Sequence, residues 1–299
     1  MTEIQREEFT LVGIGEVLWD LFPDGRQLGG APANFAYHAH ALGGDGIIVS
    51  SIGHDEPGDE IVNRLNLLGL DTRYIEIDRE HPTGAVSVEL DEGGQPRYII
   101  HKDVAWDFIR GSRELTALGG RADAVCFGSL GQRSPVSRTT IRNFLRATKP
   151  DCIRVFDINL RQSYYDEVMV HEMLSIANVL KLNDEELGIV AGLLSIEASE
   201  SAVVSQLIHR YNLHLVAVTK GANGSCLYTS EETSSHKGFK IEVADTVGAG
   251  DAFTAAMIFG RLHGKTLDEI NEYANRVAGY VCTQTGAMPA MPDSLVPAE

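Results

Sequence analysis

No run of 18 apolar residues occurs in this 299-residue chain, which argues against a helical membrane span. Its first ten residues, MTEIQREEFT, are polar and acidic, unlike a secretory leader. Cysteine is sparse: Cys126, Cys152, Cys226 and Cys282 stand far apart with no CxxC pair, so neither a disulfide framework nor a thiolate zinc site is expected. Cys126 and Cys152 lie in apolar, strand-like runs and fit buried, reduced thiols of a cytoplasmic protein. Positive charge is scarce as well. With 25 basic against 42 acidic residues the formal charge is −17, which disfavours nucleic acid and anionic membranes as partners. There is no HExxH, and His38 and His40 fall on different faces of a predicted helix, which disfavours a protein-built zinc site. Gly13-Ile14-Gly15 lacks the third glycine of a dinucleotide fingerprint, because Leu18 stands there. Gly53 and Gly58 have Walker spacing, but Asp59 and Glu60 replace the required Lys and Ser/Thr. A phosphate, if bound, is held in some other way.

What remains is an ordinary globular composition, 43% hydrophobic and 22% charged, long enough for one large or two small domains. Predicted strands at 9–15, 47–52, 124–127, 153–158, 179–182 and 215–219 alternate with predicted helices at 32–42, 59–68, 136–148, 184–191 and 202–211. Two longer helices begin at Ala249 and Leu267. Such alternation predicts an α/β fold with a mostly parallel sheet covered on both faces. Between Thr83 and His101 two alternating runs flank Asp91-Glu92-Gly93-Gly94, a hairpin signal, and predict a small β-flap. No repeat or low-complexity linker interrupts the chain.

The most informative segment is Asp245-Thr246-Val247-Gly248-Ala249-Gly250-Asp251-Ala252-Phe253. Phe253, Ala256, Met257 and Gly260 recur at helical spacing, so a tight glycine loop feeds a helix N-terminus there. Unpaired N–H groups and the positive end of the helix dipole suit an anion, and Asp251 beside them can take a proton from an attacking hydroxyl. Taken alone, the segment also reads as a plain helix start with Asp251 in its first turn. Gly29-Gly30-Ala31-Pro32-Ala33-Asn34 brings backbone close to a ligand and offers a donor and an acceptor, as a polyhydroxylated molecule requires; a simple turn has the same composition. Asp20 can accept two sugar hydroxyls or serve in a turn.

These segments resemble the two signature motifs of the ribokinase-like (PfkB) carbohydrate kinases, and the similarity runs through nearly the whole chain. Asp157-Ile158-Asn159-Leu160-Arg161, Asn183-Asp184-Glu185-Glu186 and Val218-Thr219-Lys220-Gly221-Ala222-Asn223-Gly224 resemble three further family motifs in the right order. Within the family, Gly-Glu-x-Leu-x-Asp at 15–20, Pro82-Thr83-Gly84 and Ala105-Trp106-Asp107 are most similar to bacterial fructokinases. The resemblance implies one kinase domain over 1–299, a three-layer sandwich with a β-flap lid drawn from about 16–31 and 83–107. It implies Asp251 as general base, with the N–H groups of Gly248, Ala249, Gly250 and Asp251 holding the transferring phosphoryl group. Asp20, Gly29, Gly30, Asn34, Trp106 and Arg161 would serve the sugar. Asn183 and Glu186 would act on Mg²⁺ and phosphates through water, or else form a helix cap with an exposed carboxylate. Thr219, Lys220, Gly221 and Gly224 would line ATP, with Asn275 near the adenine. Asp245, Val247, Gln284 and Gly286 match a monovalent cation site, so K⁺ is expected to activate. Flaps of this family sometimes pair, which makes a homodimer a possible partner state. The implied activity is ATP-dependent phosphorylation of a neutral sugar, most simply fructose. A 2-keto-3-deoxygluconate kinase is disfavoured because Tyr98 is followed by Ile99-Ile100-His101 with no arginine for a carboxylate. Ribose or a nucleoside remains an alternative substrate, and a non-catalytic sugar sensor a different class; retention of Asp251 argues against the sensor.

Overall fold

The computed structural model describes residues 9–22, 25–90 and 96–297. Strands β1 (Thr10–Ile14), β2 (Leu18–Phe22) and β3 (Gly25–Gly29) lead into helix α1 (Ala31–Ala41). Strand β4 (Asp45–Gly53), helix α2 (Glu56–Leu67) and strand β5 (Ile75–Asp78) follow, then strands β6 (Ala85–Leu90) and β7 (Pro96–Ile100). Helix α3 (Arg113–Arg121) opens an alternating run of β8 (Ala124–Phe127), α4 (Pro135–Arg146), β9 (Ile153–Asp157) and α5 (Glu167–Ile176). The run continues with β10 (Val179–Asn183), α6 (Asp184–Leu193), α7 (Glu200–Tyr211) and β11 (Leu215–Thr219). Strands β12 (Ser225–Tyr228) and β13 (Thr233–His236) precede the two long helices α8 (Ala249–Leu262) and α9 (Leu267–Cys282).

Among the described residues, nine strands form one sheet in the order β13-β12-β11-β10-β9-β8-β1-β4-β5. Its pairings are parallel except where β12 joins β11 and β13. Side chains alternate between its faces. Val12, Ile14, Val125, Phe127, Leu180 and Leu182 pack into one apolar core with residues of α3 to α7. Leu11, Cys126, Val155, Val179 and Ala217 pack into another with α1, α8 and α9. Both faces of the sheet are covered, which is why its strands read as near-continuous apolar runs. This is the α/β architecture, a mostly parallel sheet covered on both faces, that the alternation predicts.

A second, four-stranded sheet has the order β3-β2-β6-β7. Its link to the large sheet is pinned at Thr83, whose hydroxyl and N–H both donate to Asp55, the residue that also caps α2 through Gly58 N–H. The sequence places residues 16–31 beside the flap without showing strands there, because Asp20 and three glycines weaken the local β signal; pairing with β6 supplies what propensity does not. Strands β5, β12 and β13 are likewise missed, being four residues each and rich in serine or charge. Helix α3 is missed because Gly119-Gly120 reads as a stop, yet the helix continues to Arg121. The expected turn at Asp91–Gly94 lies outside the described residues.

Candidate active site

Strand β1 lies between β8 and β4, so the chain order reverses there, inside the sheet and third from its β5 edge. The carboxyl ends of β1, β9 and β10 therefore open on a switch point, the usual place for a ligand in this class of sheet. Helix α8 starts there. Its N-cap, Gly248, has φ 78° and gives no side-chain cap; the Ala249 N–H, expected to hold a phosphoryl group, turns to the Thr246 carbonyl at 3.3 Å, which leaves the amides of Gly250 and Asp251 facing the loop mouth. A Cβ at Gly248 would come within 2.6 Å of the Ala287 carbonyl, so the loop is closed by backbone contact as well as by conformation.

Asp251, in the first turn of α8, accepts a hydrogen bond from Asn34 Nδ2 at 2.7 Å. Burial pushes its carboxyl up to about 7; Asp157 adds repulsion, while Asn34, Lys181 and Arg161 pull the other way. That value suits a general base working near neutrality. The amide oxygen of Asn34, Oδ1, is buried and has no hydrogen-bond partner among the described residues. Glu16, just past β1, is buried too and its Oε2 also has no partner among the described residues. Burial pushes Glu16 up to about 7, against the pull of its own N–H, Arg161 and the Ala31 N–H, with Asp251 adding repulsion. Two buried acceptors without protein donors are costly unless water or the hydroxyls of a ligand supply them.

Asp20 on β2 points its carboxyl at the backbone of Gly29, where a Cβ would meet Oδ2 at 2.5 Å. Burial pushes Asp20 up to about 6, opposed by Arg161. Gly30, with φ 110°, lies against Glu16; a Cβ there would sit 2.4 Å from the Glu16 carbonyl. The geometry thus brings Glu16, Asp20, Gly29, Gly30, Asn34 and Asp251 to one place, with Arg161 exposed at its edge. Trp106 is fully buried rather than open to the cleft. Arg133 covers its ring at 4.0 Å and pairs with Asp107 through two 2.8 Å bonds.

Among the residues expected to serve phosphates, Asn183 and Glu186 form a reciprocal cap at the start of α6. Glu186 is buried, not exposed: its oxygens accept from Leu160 N–H and Asn183 N–H, both at 2.9 Å. Lys220 is paired with Glu200 at 2.8 Å, and Tyr228 donates to the same carboxylate. Gly221 and Gly224 flank a single 3₁₀ turn, and Thr219 donates to the Leu182 carbonyl. Asn275 is buried, with its amide nitrogen donating to Ser225 and Asn271. Asp245 accepts from Val247 N–H and Gly286 N–H, which draws three of the four cation-site candidates together. The fourth, Gln284, turns its amide to Thr283.

Sequence reasoning did not single out Glu16 or Lys181. Each carried a signal: an ionisable residue bounded by apolar neighbours at the end or middle of a buried strand breaks the local pattern.

A buried carboxyl at a helix N-terminus without a side-chain cap, beside buried acceptors without donors, is an arrangement that suits phosphoryl transfer to an alcohol. The chain belongs to the pfkB family of carbohydrate kinases, whose profile matches residues 24–294. It is 28% identical to a fructokinase of Escherichia coli over 93% of this chain and 95% of the relative. It is 29% identical to fructokinase-2 of Zea mays over 94% and 91%. Among solved structures, a fructokinase with bound ATP from Xylella fastidiosa superposes with a TM-score of 0.84 at 25% identity, covering 96% of this chain and 98% of that one. The protein is a sugar kinase.

Proposed function

We propose that the sugar is fructose and the phosphoryl donor ATP. The observation that carries this reading is the pairing of Asp251 with Asn34 beside two unpartnered buried acceptors. Asp251 takes the proton of a sugar hydroxyl, Asn34 holds it in position, and Asn34 Oδ1 and Glu16 Oε2 receive hydroxyls of the bound molecule. A sugar acid fits poorly, because Glu16, Asp20 and Asp251 surround the site, Arg161 stands exposed at its edge and Lys181 is already paired with Asp157. His101, in the stretch where a carboxylate-binding arginine would be sought, is paired with Ser87.

The α8 N-terminus suits the phosphates of ATP, whose transfer it favours by stabilising developing charge. Among the described residues no group of three His, Cys, Asp or Glu could hold a metal directly, and both Glu186 oxygens are engaged. This fits Mg²⁺ that keeps its waters and is held through Asn183 and Glu186, where it would neutralise phosphate charge. K⁺ is assigned to the loop that Asp245 ties to Gly286. The small sheet serves as the lid, and its edge strand β7, with Tyr98 exposed, is the surface for pairing two copies. Four free cysteines suit the cytoplasm. A coupled ADP-release assay across fructose, ribose, 2-keto-3-deoxygluconate and adenosine tests the assignment. Fructose should give the highest kcat/KM; preference for any of the others overturns the substrate.

A further inference from the structure

Lys181 is a lysine in the middle of β10, a parallel strand with neighbours on both sides. It shares a face with Val179 and is buried against the α8 side of the sheet. Its Nζ donates to Asp157 Oδ1 at 3.1 Å, in register across β9 and β10. Asp157 Oδ2 in turn accepts from Thr254 on α8 at 2.9 Å, and Thr254 also donates to the Gly250 carbonyl at 3.0 Å. The ammonium is therefore fixed from below through Asp157, both of whose oxygens accept. From above it meets the anion loop: a Cβ on Gly250 would lie 3.1 Å from Nζ. An ordinary side chain at 250 would crowd the lysine, which gives that glycine a reason beyond access for phosphate.

A buried lysine normally loses its charge. Here the carboxylate of Asp157, 3.1 Å from Nζ in the facing register position, keeps it charged. So a full positive charge sits inside the protein, directly beneath the loop that carries Asp251. The other cation near Asp251, Arg161, is exposed and screened by solvent.

We propose that Lys181 is a positioning residue of the phosphoryl-transfer site, a built-in cation beneath Gly250 that keeps Asp251 ionised and lends positive potential to the loop. This rests on Asp251 being the base. Several groups face Asp251: Asn34 from α1, Glu16 after β1, Cys126 from β8, Asp157 from β9, Arg161 after β9 and Lys181 from β10. Of these, only Lys181 combines positive charge with burial.

The pH profile of kcat/KM tests this, since a base must be ionised and activity rises with pH through its pKa. Lys181→Met should move the acid limb upward by about one pH unit or more, because a nearby opposite charge is lost. A limb that stays in place while kcat falls overturns the proposal and leaves Lys181 a packing element. Should Lys181→Met fail to fold because Asp157 is stranded, Asp157→Asn is compared with Asp157→Asn/Lys181→Met. The double variant should have the higher limb; equal limbs overturn the proposal. Asp251→Asn, run alongside, separates the two readings. If it stays active, Asp251 is not the base and the proposal falls with it; if it is inactive, the Lys181 profiles decide.

Discussion

Asp251→Asn should make the folded chain more stable at pH 8 while abolishing most turnover. The folded carboxyl is held at about 7 against an ordinary value of 3.8. Because the folded pKa is the higher, folding takes up a proton between those values. The contribution of Asp251 to stability therefore falls as pH rises from about 4 to about 7, and is level above. Roughly three pH units at 1.36 kcal/mol each give a cost of up to about 4 kcal/mol at pH 8, and about 1.5 kcal/mol at pH 5. An amide of the same shape can still accept from Asn34 and no longer faces Asp157 as a like charge. Guanidinium denaturation followed by tryptophan fluorescence, at pH 5 and pH 8, measures both quantities in wild type and variant. The gain should be larger at pH 8 than at pH 5, and kcat should fall by roughly 10²–10⁴-fold. A variant no more stable than wild type at pH 8 would falsify the picture of a strained, buried base.

The acid limb of kcat/KM in the wild type should lie near pH 7. Asn34→Ala should raise it by about one to two pH units, the equivalent of a charge-assisted hydrogen bond of about 1.5–3 kcal/mol; an unmoved limb would mean Asn34 does not tune the base. Gly250→Ala should lower kcat by about tenfold or more because the new methyl presses on Lys181, although helix propensity improves by about 1 kcal/mol; wild-type kcat would show the loop yields freely. Replacing a large organic cation by K⁺ at fixed ionic strength should raise the rate, and equal rates would remove the loop at Asp245 and Gly286 from cation binding.

Much of the large sheet is legible from the chain because both its faces are covered. Val125-Cys126-Phe127 and Leu215-Val216-Ala217-Val218 announce buried strands whatever surrounds them. The small sheet is only partly legible. Leu18–Phe22 becomes a strand because β6 and β3 lie alongside, a fact held by residues more than sixty positions away as well as by neighbours. At the site, Asp251 and Asn34 stand out because glycines mark their loops. The role of Glu186 does not: the spacing from Asn183 reveals the helix cap, but nothing local says that its other oxygen will meet Leu160. Lys181 stays hidden for a related reason. Its partner Asp157 is defined by strand register, and register is a property of the assembled sheet.

Helix α1 has a further consequence, for the order in which the molecule is made. Asn34 reaches Asp251 across 217 positions, His38 meets the Ala287 carbonyl across 249, and Tyr37 donates to the Pro289 carbonyl across 252. These contacts close very long loops, and loop closure of that span comes late in folding. During synthesis a ribosome has released almost the entire polypeptide before the base and its orienting amide can meet. A nascent chain can thus carry a formed β1–α1–β4 unit and still have no chemistry. In refolding, turnover should be the last signal to recover, trailing the helical signal of the first half.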